Sequence, residues 1–363
     1  MEQFVSSSTR KIGIIGVGFG AQVHVPGFRS EGWEVAAICS RNREKAQKAG
    51  AEAGIDGIYT DPMELIRRDD LAAVSIITPP GAHHALAIAA LKAGKHVLCE
   101  KPFALDAGQA KEMLDVAEKS RRTAMVAHEF RHTPQRAYIK QLLDDGYIGK
   151  FHLCTIELFL DRYVTDQPRP RTWMAHKSDG GGLLGALGSH YIDGLRYWFG
   201  EVASVSGWLA TLRPDLVDTA TGKKVDAETD DSFLLTLTFK NGGMATMISS
   251  FAVTPTRGAK IAVMGDSGTL IAEQPGPNPM ENGVVVASRN GAALQELKTP
   301  AQYTPFTDAR DHRLMAFRLL VRDFTTGVEQ GTSPAPSFTD GLRGQQILDA
   351  VRESSESGRT VRL

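Results

Sequence analysis

The stretch Lys11–Gly20, KIGIIGVGFG, decides how the rest of the chain is read. A short apolar run enters a glycine turn, and Ala21 completes the G-x-G-x-x-G/A spacing set by Gly16 and Gly18. A helix is expected after the turn, and then a second strand, WEVAAICSR. In that context the first glycine permits a tight turn and the second lets the backbone approach a pyrophosphate at a helix N-terminus. The small third residue lets helix and strand pack closely. Dinucleotide binding at Gly16, Gly18 and Phe19 follows, against the alternative of a purely structural turn.

Outward from this turn, strands and helices alternate. REKAQKAGAEAG reads as a helix, LAAVSIITPP as a strand stopped by Pro79 and Pro80, and HHALAIAALKAG as a helix closed by Gly94. HVLCEKP, LDAGQAKEMLDVAEKS and RRTAMVAHEF continue as strand, helix and strand. Such alternation predicts a parallel sheet covered on both faces. The rhythm changes after about Glu129. TPQRAYIKQLLDDGYIG reads as a helix, KFHLCTIELFL as a long strand, and DDSFLLTLTFKNGGMATMISSFAV as two strands joined at KNGG. AKIAVMGDSGTLIAE looks like another hairpin, so this half predicts an antiparallel sheet with one covered face. RPDLVDTATGKKVDAE and residues 273–302 are expected as surface loops. Helices return at HRLMAFRLLVRDFTTG and GLRGQQILDAVRESSESG. The expected class is α/β: a Rossmann parallel sheet in residues 1–128, then an α+β domain in residues 129–363 with a large, mostly antiparallel open sheet.

A length of 363 residues suits two domains, and 42% apolar with 23% charged residues is ordinary for a soluble globular chain. The net charge of −1 argues against general nucleic-acid binding. Cys39, Cys99 and Cys154 lack metal-ligand spacing, and the sparse count fits a reducing compartment. The ten histidines are scattered, so no metal is expected. The opening MEQFVSSSTRK has no apolar leader core, and no later stretch is long enough to span a bilayer. A cytoplasmic protein is expected.

The end of the second strand bears on which dinucleotide binds. A strict NAD site would place an acid there for the ribose hydroxyls. The chain has CSRNR instead. Ser40 could donate to a 2′-phosphate while Arg41 or Arg43 covers it with charge. NADP is the expected cofactor, with NAD the alternative.

A second stretch, KAGKHVLCEKPFAL (Lys92–Leu105), ends an apolar strand in adjacent charges followed by proline. Such charges are costly at the end of a buried strand unless they are paired or used. Together with GIIGVGFGAQVHVPGF, ITPPGAHHALAIAALKAGKHVLCEKP, residues 180–193 and FTDGLRGQQILDAVRESSESG, it resembles the Gfo/Idh/MocA family of nicotinamide-dependent oxidoreductases over nearly the whole chain. The resemblance implies an N-terminal Rossmann domain and a C-terminal substrate-binding domain whose open sheet forms the interface of a homo-oligomer. It implies oxidation or reduction of a sugar, inositol or related polyol or ketone. It places Glu100, Lys101 and Pro102 at the boundary of cofactor and substrate. Lys101 would contact the reacting oxygen, Glu100 would orient it, and the bond before Pro102 is often cis in the family. A lysine there makes chemical sense, because charge develops on that oxygen during hydride transfer. Thr78 and His83, in the TP turn and the helix after it, fall on the coenzyme side. His24 matches a common family position that lines the pocket or supports it.

In DGGGLLGALGSHYIDGLRYWFG, His190 matches the family's proton donor and acceptor. The aspartate that the family carries four residues earlier is Ala186 here. On an α-helix it would have faced the imidazole across one turn. Asp193, Arg131, Arg171 and Trp173 are further substrate-binding candidates, an aromatic face suiting the apolar side of a sugar, and for Arg131 a structural ion pair is the equal alternative. Arg162, Tyr163 and His176 lie in the same loop. An oxidoreductase with Lys101 and His190 as catalytic residues is the expected function. The missing aspartate motivates one alternative, a cofactor-bound binding or regulatory protein with weak or lost turnover. A second is a reductase of non-sugar carbonyls.

Overall fold

The computed structural model describes residues 10–164, 169–218, 221–278, 280 and 283–363. Most of the opening segment read above for a leader lies outside the described residues, as do 165–168, 219–220, 279 and 281–282.

The glycine turn follows β1 (Lys11–Ile15) and opens a π-helical turn, Gly20–His24, that continues into α1 (Val25–Ser30). Next come β2 (Glu34–Cys39), α2 (Arg43–Ala53), β3 (Ile58–Tyr59), α3 (Pro62–Ile66), β4 (Ala73–Ile76), α4 (His83–Lys92), β5 (His96–Cys99), α5 (Ala107–Ser120) and β6 (Ala124–Val126). These strands form a parallel sheet in the order β3–β2–β1–β4–β5–β6. β4 and β6 are buried along their whole length, as strands covered on both faces must be. Helix starts carry their own caps: the Asn42 side chain accepts from the Lys45 amide, and Asp106 accepts from the Gln109 amide. The direction of strand succession reverses between β1 and β4. The crevice beyond their carboxyl ends is where such sheets place ligands. The loops after β1, β4, β5 and β6 all open toward it.

The remaining chain builds α6 (Pro134–Asp144), β7 (Phe151–Phe159), β8 (Arg169–Pro170), α7 (Ser189–Phe199), β9 (Val202–Ala210), β10 (Asp215–Val217), β11 (Lys224–Asp226), β12 (Ser232–Phe239) and β13 (Met244–Ser250). It ends with β14 (Gly258–Gly265), β15 (Gly268–Gln274), β16 (Val284–Arg289), β17 (Gln295–Leu297), α8 (Leu314–Gln330), α9 (Phe338–Ser357) and β18 (Val361–Arg362). Nine strands form the second sheet, β17–β16–β15–β14–β7–β13–β12–β9–β18, antiparallel except where β7 meets β13. One face packs on α7 and α9 through residues such as Ile192, Leu195, Ile347 and Val351. Trp208, Leu234 and Ile248 stand side by side on the other face, each more than two-fifths exposed.

Two expected surface loops carry strands. β10 and β11 pair with each other and with β8, and β16 and β17 widen the large sheet within residues 273–302. The surrounding glycine, proline and asparagine hid the Val284–Val286 run, whose burial alternates as in a strand with one covered face. The final helices return to the first sheet. Leu314, Phe317, Leu320, Val321 and Phe324 of α8 pack with Ile12, Ile14, Phe28 and Trp33. The segment before α9 covers the edge of β6, where the Val126 amide donates to the Pro336 carbonyl at 2.8 Å. Among the described residues no helix is long and apolar enough to cross a membrane.

Phe317 is fully buried against Phe28 and His24. Phe317→Ala is expected to lower stability by about 3–5 kcal/mol, measured by urea unfolding. A loss below about 1 kcal/mol would show that α8 is not part of the first sheet's core.

Candidate active site

The crevice begins at the glycine turn. Gly16 has φ +123°, and a Cβ there would run into the Ile77 carbonyl, so the turn requires glycine. Its amide donates to the Cys39 carbonyl at 2.9 Å, tying the turn to the end of β2. A Cβ on Gly18 would meet nothing within 4 Å, and the residue faces open space. Thr78, beyond β4, has a buried hydroxyl with no hydrogen-bond partner among the described residues. An open backbone cradle with an orphaned hydroxyl beside it fits a dinucleotide. Ser40 accepts from the Asn42 amide, while Arg41 and Arg43 are exposed. None of the three is drawn into a ready-made phosphate clamp.

Beyond β5 lies a buried polar cluster. The fully buried His24 ring meets the Ser75 hydroxyl through Nδ1 at 2.9 Å and Glu100 through Nε2 at 3.0 Å. Burial lowers the His24 pKa despite the carboxylate beside it. The neutral ring therefore donates from Nε2 to Glu100 and accepts from Ser75 at Nδ1. Burial alone would raise Glu100, but the His24 hydrogen bond and the charge of Lys101 outweigh it and hold the carboxylate below its usual range. The other Glu100 oxygen accepts from the Lys101 amide at 3.1 Å. The Lys101–Pro102 bond is cis.

Lys101 Nζ donates to the Ala186 carbonyl at 3.2 Å. Ala186 lies in a second π-helical turn, Leu184–Gly188, which precedes α7. The expected single helix is thus divided, and the relation of positions 186 and 190 across one α-helical turn does not hold. A π-helical turn shifts carbonyls out of the α-helical ladder, and here one of them faces Lys101. Asp230 secures this turn by accepting from the Leu184 amide at 2.7 Å; burial raises its carboxyl to about 6.

His190 is 3% exposed, stacks on Phe130 at 3.8 Å between centroids, and meets His128 edge-on at 5.4 Å. Burial, then the charge of Lys101, the neighbouring His128 and the charge of Arg136, hold its pKa well below the ordinary value. His190 is a neutral imidazole whose Nδ1 has no partner among the described residues. Sequence reading passed over His128 and Glu129, which follow β6 as Glu100 and Lys101 follow β5. The signal was there: AMVAHE, like HVLCEK, ends a buried strand in ionisable residues.

Other candidates are engaged elsewhere. The Arg131 guanidinium donates to both Asp193 oxygens at 2.6 Å and to Asp340 at 3.1 Å. Burial opposes its charge, but the two carboxylates outweigh this and raise its pKa. Instead of facing a substrate, Arg131 and Asp193 brace the turn after β6 against α7 and α9. His83 is fully buried, with Nε2 2.8 Å from the Thr78 carbonyl and Nδ1 3.0 Å from that of Pro102. Its polar atoms face backbone rather than coenzyme, so it shapes the wall by joining two loops. Arg171 lies 3.6 Å from Glu228 and 3.8 Å from Asp218, and its Nη2 is 3.2 Å from His176 Nδ1. Trp173 is half-buried at the start of a short 3₁₀ turn. Among the described residues no group of three or more His, Cys, Asp or Glu is arranged to hold a metal.

Residues 10–128 match the family model described as an oxidoreductase family, NAD-binding Rossmann fold, and residues 140–363 match its C-terminal alpha/beta domain. The chain belongs to the Gfo/Idh/MocA oxidoreductase family. It is 29% identical to an uncharacterized oxidoreductase of Synechocystis sp., covering 96% of this chain and 95% of that protein. It is 28% identical to levoglucosan dehydrogenase of Pseudarthrobacter phenanthrenivorans, covering 95% of each. A solved structure of levoglucosan dehydrogenase with NADH and levoglucosan superposes with a TM-score of 0.89 at 25% identity, covering 98% of this chain and 99% of that one. The similar solved complexes hold NADH, which overturns the expectation of NADP. The physical reason is visible at the end of β2. An uncharged Ser40 can pair with ribose hydroxyls, and exposed arginines nearby do not by themselves demand a phosphate.

Arg131→Ala would leave Asp193 buried and uncompensated. The expected loss is about 3–5 kcal/mol of stability, read by urea unfolding. A change under about 1 kcal/mol would show that the brace is dispensable.

Proposed function

We propose that the protein is an NAD-dependent oxidoreductase that interconverts a hydroxyl and a carbonyl on a sugar or related polyol. The observation that carries this reading is the seat of Lys101. Its ammonium leaves the end of β5 toward the Ala186 carbonyl, in the crevice onto which the glycine turn opens. The relatives' names support the substrate class, since levoglucosan is a sugar derivative. A bound nicotinamide dinucleotide supplies the hydride acceptor or donor. Gly16, Gly18 and Phe19 would cradle its pyrophosphate, Thr78 would line its path, and Ser40 would meet the adenosine ribose.

Lys101 keeps two of its three N–H donors after bonding Ala186, and these would hold the substrate oxygen. As the carbon loses hydride, the ammonium stabilises the negative charge developing there. Glu100, locked by His24 and Ser75, fixes the backbone from which Lys101 projects. His190, neutral at physiological pH, would accept a hydroxyl proton at a ring nitrogen or relay it. Phe130 holds the ring plane. Trp173 would border the sugar, with Arg171 nearby. Residues 1–128 would act as the coenzyme domain and 129–363 as the substrate domain, in the cytoplasm.

The open face of the large sheet supports a homo-oligomer. Trp208, Leu234 and Ile248 form one lateral row that continues into Glu157, Lys260 and Glu273. Such an apolar row with a charged extension suits a self-complementary interface. Trp208→Asp is expected to shift the protein to a smaller species in sedimentation velocity. An unchanged species would remove this face from the interface.

The function is tested by titrating the protein with NADH, followed by an NAD-coupled screen of sugars and polyols. Saturable NADH binding and turnover of at least one polyol are expected. Lys101→Met is expected to lower kcat by about 10²–10⁴-fold while NADH binding persists. No turnover across the panel despite NADH binding would favour a binding or regulatory protein.

A further inference from the structure

Lys101 reaches the second domain through the Ala186 carbonyl, so whatever fixes that carbonyl also fixes the ammonium. The π-helical turn that carries Ala186 is entered through three glycines, residues 180–182, two of which have positive φ (+76° at Gly180 and +105° at Gly182). Glycine restrains its backbone least, so the entry to the turn has to be held by something else. The turn also packs on the loop of Lys101 itself. A Cβ on Gly185 would come within 3.1 Å of the Pro102 ring.

Asp230, between β11 and β12, holds the entry twice. Its main-chain carbonyl accepts from the Leu183 amide at 2.9 Å, and its Oδ2 accepts from the Leu184 amide at 2.7 Å. Gly182 leaves room for this approach, since a Cβ there would run into the Asp230 carboxylate. The Gly182 carbonyl in turn accepts from the Ala186 amide at 3.0 Å, and the Ala186 carbonyl accepts from Lys101 Nζ at 3.2 Å. The segment before Asp230 is anchored as well: the Thr229 hydroxyl and the Gly182 amide both donate to the Met174 carbonyl, at 2.6 and 2.9 Å. Hydrogen bonds therefore join the Asp230 carboxylate to the lysine through a single turn of backbone. Arg352 on α9, the adjacent Asp231 and Tyr163 beyond β7 act on it electrostatically. The first two have partners of their own: Arg352 donates to Asp349, and Asp231 accepts from the Leu212 and Arg213 amides.

We propose that Asp230 is a positioning residue of the reaction, which sets the Lys101 ammonium through the π-helical turn. This rests on the reading that Lys101 meets the reacting oxygen. Ionised, Asp230 holds the Leu184 amide by a charge-assisted bond; neutral, it is a weaker acceptor and the turn loosens. Burial raises the carboxyl to about 6, while the Leu184 amide and the charge of Arg352 pull the other way. The carboxylate forms as pH rises through that value, so kcat rises there and levels off above it. His190 does not produce this rise, because its pKa is held well below the ordinary value.

The test compares the wild-type chain with Asp230→Asn, which keeps the shape and an acceptor oxygen but cannot ionise. In steady-state oxidation of whichever polyol turns over, the wild type should show an ionisation near pH 6 in kcat. Asp230→Asn should lose that ionisation and about 10- to 10²-fold in kcat, with KM moving less than kcat and NADH affinity unchanged. Hydrogen exchange read by mass spectrometry should be faster in the variant across residues 183–188, and an unaltered rate overturns the proposal. A variant that is less stable but keeps the wild-type kcat and pH profile also overturns it, since a cap with a structural role alone behaves so. A wild type that binds NADH but turns over no polyol overturns the functional reading, and this proposal with it. If Asp230→Asn fails to fold, the wild type decides: a kcat without an ionisation near pH 6 counts against Asp230.

Discussion

The crevice depends on one dry ion contact, the Glu100 carboxylate between the His24 ring and the Lys101 amide. His24 belongs to the π-helical turn after the glycine loop, Ser75 to β4, and Glu100 to the end of β5. The turn after the glycine loop, β4 and the end of β5 are thereby fastened to one another through side chains that are almost inaccessible to water. A buried carboxylate is tolerated only when its lone pairs are met, and here an imidazole N–H and a backbone N–H meet them. The direction of every partner follows. A neutral His24 can donate to Glu100 only through Nε2, which leaves Nδ1 to accept from Ser75. Phe317 of α8 packs on the His24 ring at 4.1 Å, so the last third of the chain helps keep this contact dry.

Lys101 inherits its position from that lock. Its backbone cannot shift without disturbing Glu100, and its side chain ends on the carbonyl of Ala186. The second π-helical turn is thus a functional part of the wall. A lysine in contact with a carbonyl is oriented without having its charge neutralised, and the ammonium keeps its full field for an oxygen that becomes negative. The same positive field, added to burial, keeps His190 neutral and therefore able to accept a proton. The two residues are electrostatically interdependent, although one follows β5 and the other lies on α7.

Much of this was legible in the chain. KIGIIGVGFGA and HVLCEKP could be read because a buried parallel strand is short and continuously apolar, and because glycine or a charge at its end has few other uses. What could not be read was side-chain pairing across distance. Glu100 finds His24 from 76 positions away, and Arg131 finds Asp193 from 62. Nothing local distinguishes Arg131 as a brace from Arg131 as a ligand for substrate. The relation of Ala186 to His190 failed for another reason: it assumed α-helical spacing in LGALG, which folds as a π-helical turn. β16 escaped notice because turn-forming residues on both sides outweighed a three-valine run.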